Sequence, residues 1–329
     1  MKKRIILLFS LMPFILGLYV AHIRSLPLPQ VTMFSAENVL PTDVITLSNK
    51  GDIYKLTTNN TQQITHGQNL IEPVMVGNNF IAIVKKMNYA SLNMYDALGN
   101  RVKTLFNGNS GNIDTMSWIT DPAINEVNNK VAYVSDKDKQ QTQVPDNALY
   151  VMDISDGKST NIVKPDPYSG GIAHPVWNPA NTNVLFYDYY QYDPQTLLPY
   201  ATIEEYDKQT GLTTTFTFER QNAYQESISM DGGKMLFLGR NSNLNTVTLY
   251  IADITTSGLS HIHALLTGDI AYPTFSNTKD HIYYLNADAN KGYNLVTATI
   301  QQNKLVHFLP IANGAQLAGN SSFSVTKLH

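Results

Sequence analysis

Apolar and polar residues alternate through most of this chain in short runs, punctuated by turns of Asn, Asp, Ser and Gly. Alternation with a period of two marks strands that bury one face, so the pattern predicts a protein made almost wholly of β-hairpins. One phrase recurs: Ser91–Gly99 reads SLNMYDALG, Asn147–Gly157 NALYVMDISDG, Ala201–Gly211 ATIEEYDKQTG and Thr246–Gly258 TVTLYIADITTSG. Each is a strand that ends on Asp and turns on Gly, and the aspartates Asp96, Asp153, Asp207 and Asp253 stand 57, 54 and 46 residues apart. A second phrase interleaves: Glu72–Ile83 reads EPVMVGNNFIAI, His174–Phe186 HPVWNPANTNVLF, Gln225–Phe237 QESISMDGGKMLF and Tyr272–Tyr283 YPTFSNTKDHIY. A degenerate copy carries Trp118 and then Val131–Val134. The two phrases together make four antiparallel strands in roughly 45–55 residues, the size of one propeller blade.

Five landmark strands lie near Pro73, Trp118, Pro175, Ile228 and Pro273. A sixth starts near the C-terminus, where Gln316–Val325 (QLAGNSSFSV) aligns with Val74–Ile83, and Asp52–Thr65 (DIYKLTTNNTQQIT) supplies the missing half of that blade. The expected fold is an all-β, six-bladed β-propeller over residues 44–329, whose N- and C-terminal segments share one blade and so leave no open edge in the ring.

This repeat, LYxxDxxxG followed by a P-x-W/F phrase and an apolar strand, resembles that of the TolB-like propellers, the PD40 type related to WD40. The resemblance covers about residues 44–329 and implies a bacterial envelope setting. There are two departures. The usual Ser-Pro-Asp-Gly turn is eroded to NPAN at Asn178, SMDG at Ser229 and SNTK at Ser276. The α/β domain that precedes the propeller in TolB itself is replaced here by a Pro-rich stretch, residues 25–43, which reads as a semi-extended tether.

Ahead of that stretch, Lys2, Lys3 and Arg4 precede a run from Ile5 to Ile23 that holds no acidic or basic residue except His22, near its end. A basic start followed by an apolar segment of about 20 residues is the pattern of a membrane helix or a signal peptide. Cleavage needs small residues one and three places before the cut, and Ala21 is paired with Tyr19 and Gly17 with Ile15. Residues 1–24 are therefore expected to be an uncleaved signal anchor, with a cleaved signal as the alternative. The positive-inside rule then sends the rest of the chain out of the cytoplasm, to the periplasmic side of an inner membrane or into secretion.

Composition changes this picture little, but it narrows the chemistry. Hydrophobic residues make up 43% of the chain, enough for a sizeable core, whereas a net charge of −3 with no Lys/Arg stripe gives no footprint for nucleic acid. The absence of cysteine removes disulfides, thiolate metal sites, Cys nucleophiles and a lipobox. There is no G-x-S-x-G motif, GNSGN at Gly108–Asn112 being the nearest, and the exported region holds few arginines: Arg24, Arg101, Arg220 and Arg240. No catalytic residue, cofactor or metal is assigned.

The innermost strands of a propeller line its central channel. Alignment on Pro175 places Glu72, Thr115, His174, Gln225 and Tyr272 at one channel mouth, with Gly314 in the shared blade. The stretch YDYYQYDPQTLLPYATIEEY lengthens one hairpin and makes it aromatic through Tyr187, Tyr189, Tyr190, Tyr192 and Tyr200, residues suited to protein interfaces or sugar stacking, although alternation buries part of them. His261 and His263 form a weak metal pair, and Asn286, Asp288, Asn290 and Gly292 form an imperfect calcium-loop pattern that a hairpin turn explains better. The function expected is non-catalytic docking of an envelope protein partner. Glycan or peptidoglycan binding is the alternative, and a propeller hydrolase or lyase the third class.

Overall fold

The computed structural model describes residues 34–327 apart from 113–114, 139–146, 167–169, 194, 196–198, 217, 219–221, 242–245, 257, 289–291 and 318–320. The first strands, β1 (Asp43–Asn49), β2 (Asp52–Thr57) and β3 (Asn60–Gln63), precede blade 1, which comprises β4 (Leu70–Val76), β5 (Asn79–Lys85), β6 (Ala90–Tyr95) and β7 (Arg101–Asn107). Blade 2 is β8 (Ile119–Asn125), β9 (Lys130–Ser135), β10 (Ala148–Asp153) and β11 (Ser159–Val163). Blade 3 is β12 (Gly171–Trp177), β13 (Val184–Tyr192), β14 (Pro199–Asp207) and β15 (Leu212–Phe216). Blade 4 is β16 (Asn222–Ile228), β17 (Lys234–Asn241), β18 (Thr246–Thr255) and β19 (Gly258–Thr267). Blade 5 is β20 (Ile270–Phe275), β21 (His281–Asp288), β22 (Gly292–Gln301) and β23 (Lys304–Leu317). The last strand, β24 (Ser322–Lys327), pairs antiparallel with β1, so blade 6 runs β24-β1-β2-β3.

The core lies between blades. Second and third strands are covered on both faces, which is why β5 (NFIAIVK) and β9 (KVAYVS) read as nearly continuous apolar runs. Each cluster of buried side chains spans two neighbouring blades. Ile81 and Leu92 of blade 1 meet Val131 and Tyr133 of blade 2, Val134 meets Leu185, Phe186 meets Phe237, and Leu238 meets Ile282. Leu285 meets Ile45, and Ile53 meets Phe80, which closes the ring through blade 6. Burying one such side chain is worth about 1.5–3 kcal/mol. Stacked aromatics join the second and third strands of three blades: Phe80–Tyr95, Tyr133–Tyr150 and Phe237–Tyr250, with ring centroids 5.0, 5.4 and 5.4 Å apart.

The shared blade closes differently from the expected halving. The C-terminus gives one strand and the N-terminus three. Leu317 ends β23, the long, repeatedly bulged outer strand of blade 5, so Gln316 and Leu317 close that blade and do not open the next. The partner that the alignment lacked is β1 (DVITLSN), buried along its whole length. Phe34 and Val39, inside the stretch read as a tether, are buried against the interface of blades 5 and 6, with the Phe34 ring 5.2 Å from Tyr54. No helix among the described residues is long and apolar enough to cross a membrane, and the run from Ile5 to Ile23 lies outside them.

Candidate functional site

In blades 1 to 5 the ladder between the first and second strands slips by one residue at the same level. In blade 1, Ile71 faces Ile83 but Val74 faces Ile81, and the same slip separates Thr120 from Ala123, Ala173 from Val176, Tyr224 from Ser227 and Ala271 from Thr274. Each bulge opens on a left-handed residue: Glu72, Asp121, His174, Gln225 and Tyr272, with φ between +47° and +54°. In four of them proline follows (Pro73, Pro122, Pro175 and Pro273), a residue with no N–H to give to a ladder and therefore at home in a bulge. In blade 4 that place is taken by Glu226.

A left-handed non-glycine residue costs on the order of 1–3 kcal/mol and persists where its surroundings enforce it. Here the enforcement crosses from blade to blade. The Glu72 amide donates to Ser322 Oγ (3.0 Å), that of Asp121 to Glu72 Oε2 (2.6 Å), that of Gln225 to both carboxyl oxygens of Asp188 (3.0 Å each), and that of Tyr272 to Gln225 Oε1 (2.9 Å). The strand β24 pairs with β1 without a slip.

Four of the five residues aligned from sequence therefore meet at the mouth. Thr115 does not. It sits in an exposed turn before β8, its hydroxyl 2.6 Å from that of Ser110. Trp118 also precedes β8, so using it as the landmark placed blade 2 too early, and the residue at the mouth is Asp121, ahead of Pro122. Gly314 belongs to β23 and not to the shared blade.

The mouth opens on a cavity of about 300 Å³, whose apolar wall includes Val74, Ile124, Val176, Phe323 and Val325. Asp188, on β13 and fully buried, is its hidden support. It holds His174 Nδ1 at 2.7 Å and accepts the Gln225 amide and, at 3.5 Å, the Tyr190 hydroxyl. His174 Nε2 lies 3.8 Å from Asp121 Oδ1, and the Tyr272 ring stands edge-on to the imidazole, centroids 6.1 Å apart. Glu226 is 4% exposed, and neither of its oxygens meets a donor.

Electrostatics follow from this crowding. Burial alone lowers the imidazole pKa of His174, but the charge of Asp121, the hydrogen bond and charge of Asp188 and the charge of Glu72 override it and push the value up to about 9. Burial, then the Asp121 charge, pushes Glu72 up to about 8, against the Asp121 amide, His174 and Lys85. Burial, then the Asp188 charge, raises Glu226 well above the carboxylate range.

In all three cases the folded chain keeps a proton that the unfolded chain has released, so stability falls as pH rises. The His174 contribution is whole below 6.5 and is lost through about 9, whereas Glu72 acts from the carboxylate range up to about 8. Asp96, held low by Asn100, and Asp253, held low by Lys234, act oppositely, their contribution being whole above 3.8 and lost as pH falls below it. The urea midpoint is therefore expected to be highest at about pH 4, between the aspartate and glutamate ranges, and to fall from there to about pH 9, each raised group contributing about 1.4 kcal/mol per pH unit between its ordinary and its raised value. Glu226→Gln flattens that fall, and a midpoint constant over this range would contradict the protonation assigned to the channel.

The tyrosines of the β13–β14 hairpin separate by alternation. Tyr187 is buried between blades 2 and 3, Tyr190 turns toward Asp188, the Tyr189 hydroxyl accepts the Asp166 amide (3.2 Å), and the Tyr200 hydroxyl donates to Gln191 (2.9 Å). Tyr192 is half exposed. Its strands, of 9 and 9 residues, are no longer in sum than those of the corresponding hairpins of blades 4 and 5, at 8 and 10, so the added length lies in the tip, of which residues 194 and 196–198 lie outside the described residues. His261 occupies a bulge in β19 with φ +46° and bonds Asp253 (2.9 Å), so it and His263 do not keep the two-residue period. Among the described residues no three His, Asp or Glu side chains converge as a metal site. Asp288 pairs with Gly292 at a hairpin end, and Asn290 lies outside the described residues.

Three mouth residues escaped the sequence reading. The X-Pro dipeptide shared by four bulges would have found Asp121. Asp188 hid among the hairpin tyrosines, and Glu226 signals itself only as a Gln-Glu pair where Pro is the rule.

The sequence matches no protein-family model and no curated protein. Solved structures share the fold. TolB of Acinetobacter baumannii is similar with a TM-score of 0.65 at 12% identity, over 87% of this chain and 67% of that one. An oligogalacturonate lyase in complex with manganese gives 0.56 at 13% identity, over 83% and 74%. A protein of Agrobacterium tumefaciens assigned as TolB gives 0.54 at 13% identity, over 88% and 99%. Among the described residues no α/β domain accompanies the propeller.

Proposed function

We propose that this TolB-like propeller is a non-catalytic docking protein of the bacterial envelope, and that part of a protein partner enters it at the channel mouth. One observation carries the reading. Five residues from five blades are held at the same level in a strained backbone conformation, and all five line one cavity. Strain repeated around a cavity is kept where it serves binding. That His174 engages Asp188 and faces Asp121, with no hydroxyl nucleophile hydrogen-bonded to it among the described residues, supports docking over hydrolysis. The apolar run from Ile5 to Ile23 fits export and anchoring of the propeller.

The test is position-dependent crosslinking. A photoreactive residue in place of Tyr272, in the full chain extracted from membranes in gentle detergent, is expected to give one defined protein adduct. The same residue in place of Leu212, on the outer strand of blade 3, gives none. Equal capture from both positions, or none from Tyr272, overturns the reading.

Saccharide binding remains a second reading because of one groove on blade 1. It measures about 610 Å³ and is lined by Gln68, Tyr89, Ser91, Asn93 and Asn107, and the Asn93 Oδ1 atom is buried without a partner. Amide and hydroxyl groups of this kind suit sugar hydroxyls. A glycan-array signal that Asn107→Ala removes and Tyr272→Ala leaves intact would select it.

A further inference from the structure

The mouth holds more acid than it neutralises, and the imbalance specifies what enters. Glu72, Asp121 and Glu226 line the cavity and Asp188 stands behind them, against a single cationic group, His174, among the lining residues. Glu226 is the independent sign of a ligand. It replaces the proline of the other four bulges, it is 96% buried by its 4% exposure, and it has no donor on either oxygen. A buried carboxyl without a donor is unfavourable unless it stays protonated or a positive charge arrives.

The remaining walls identify the charge. Tyr272, 37% exposed, presents a ring at the mouth, and a ring face attracts a cation. Val74, Ile124, Val176 and Phe323 then offer an apolar sleeve. A bare divalent cation needs six or more converging oxygens, on the order of a full shell, and no such convergence of acidic or histidine ligands occurs among the described residues. An ammonium on a hydrocarbon stem satisfies both parts, its N–H groups toward the carboxyls and its methylenes along the sleeve.

We propose that the channel mouth binds an organic ammonium group of the docked partner, a lysine side chain or a chain-terminal amine, with Asp121 as its ion-pair acceptor and Tyr272 as its aromatic wall. The inference rests on docking at the mouth. It carries a signature of its own, because an arriving cation favours the ionised forms of Glu72 and Glu226. Asp121, His174 and Lys85 face Glu72, and Asp188 and Asp121 face Glu226, so the two aspartates draw the cation in against the charges of His174 and Lys85. Binding therefore releases protons.

The experiment uses the full chain and three small probes followed by ligand-observed NMR: Nα-acetyl-lysine amide for the side-chain amine, leucine amide for the terminal amine, and the neutral Nα-acetyl-norleucine amide. At least one amine is expected to bind about tenfold more tightly than the norleucine probe. Calorimetry in buffers of different ionisation enthalpy is expected to show proton release, and Asp121→Asn erases the preference. The stronger amine identifies the source. Equal binding of the neutral probe, failure of both amines to bind, or saturable Ca²⁺ binding without amine binding overturns the proposal. A partner crosslinked through position 272 together with charge-blind probes would leave docking standing and remove the ammonium. Charge-selective probes without a crosslink would do the reverse.

Discussion

A chain lacking Ser322–Lys327 does not fold into a ring. This strand is the innermost of blade 6, paired with β1 from Asp43↔Lys327 to Ser48↔Ser322, and it also packs against β4 and β20 on either side. Its removal leaves the fully buried β1 as an open edge, breaks the Ser48–Ser322 hydroxyl contact (2.9 Å) and takes away the acceptor of the Glu72 amide. Six ladder pairs and two inter-blade surfaces outweigh the total stability of an ordinary domain, about 5–15 kcal/mol. The truncated chain is therefore expected to lose its cooperative thermal transition and to aggregate through the exposed edge. Circular dichroism melting and size-exclusion chromatography check this. A cooperative melt within about 2 °C of the intact protein, a shift of order 1 kcal/mol in a domain this size, would show that the ring closes without its last strand.

Replacing Asp188 by alanine has the next largest effect. The carboxyl is fully buried and serves His174, the Gln225 amide and Tyr190 together, so its loss leaves a largely buried imidazolium and an amide without their acceptor. Breaking a buried charge pair from one side costs about 3–5 kcal/mol. Part of that is recovered as Glu226, freed from the Asp188 charge, ionises more readily. The urea midpoint at pH 6 is expected to fall accordingly, and the His174 resonances in an NMR titration to move down from about 9. A loss under about 1 kcal/mol, the worth of an ordinary hydrogen bond, would mean that Asp188 does not organise the mouth.

Most of the architecture could be read before the structure because a propeller repeats its phrases. The Asp-turn-Gly strand and the apolar strand after each polar turn recur visibly, and their count gives six blades. What could not be read was the division of the shared blade. β1 is buried on both faces and carries no repeat phrase, whereas QLAG matches VMVG as a string of residues alone, its Leu317 ending β23 of blade 5. The site was legible where proline marked the bulge, as at Glu72, His174 and Tyr272, and by alignment at Gln225. It was illegible where chemistry replaced the marker, at Glu226, or where the contributing residue came from a second strand, as Asp188 does, since no local pattern reports which side chain reaches across a blade.

The slipped ladder has a consequence for how such a mouth changes over generations. A bulged residue is excused from strand pairing, so its side chain is released from the sheet behind it and answers to the channel and to the neighbouring blade, as Glu72 does in accepting the Asp121 amide and Gln225 in accepting that of Tyr272. The left-handed backbone filters the exchange, since β-branched side chains are the ones it excludes most strongly. Glu, Asp, His, Gln and Tyr, the five residues found there, are all unbranched at Cβ. The ring is thus a set of linked positions on a fixed frame, in which an exchange at Glu72 or Gln225 has to keep an acceptor for the next blade's amide.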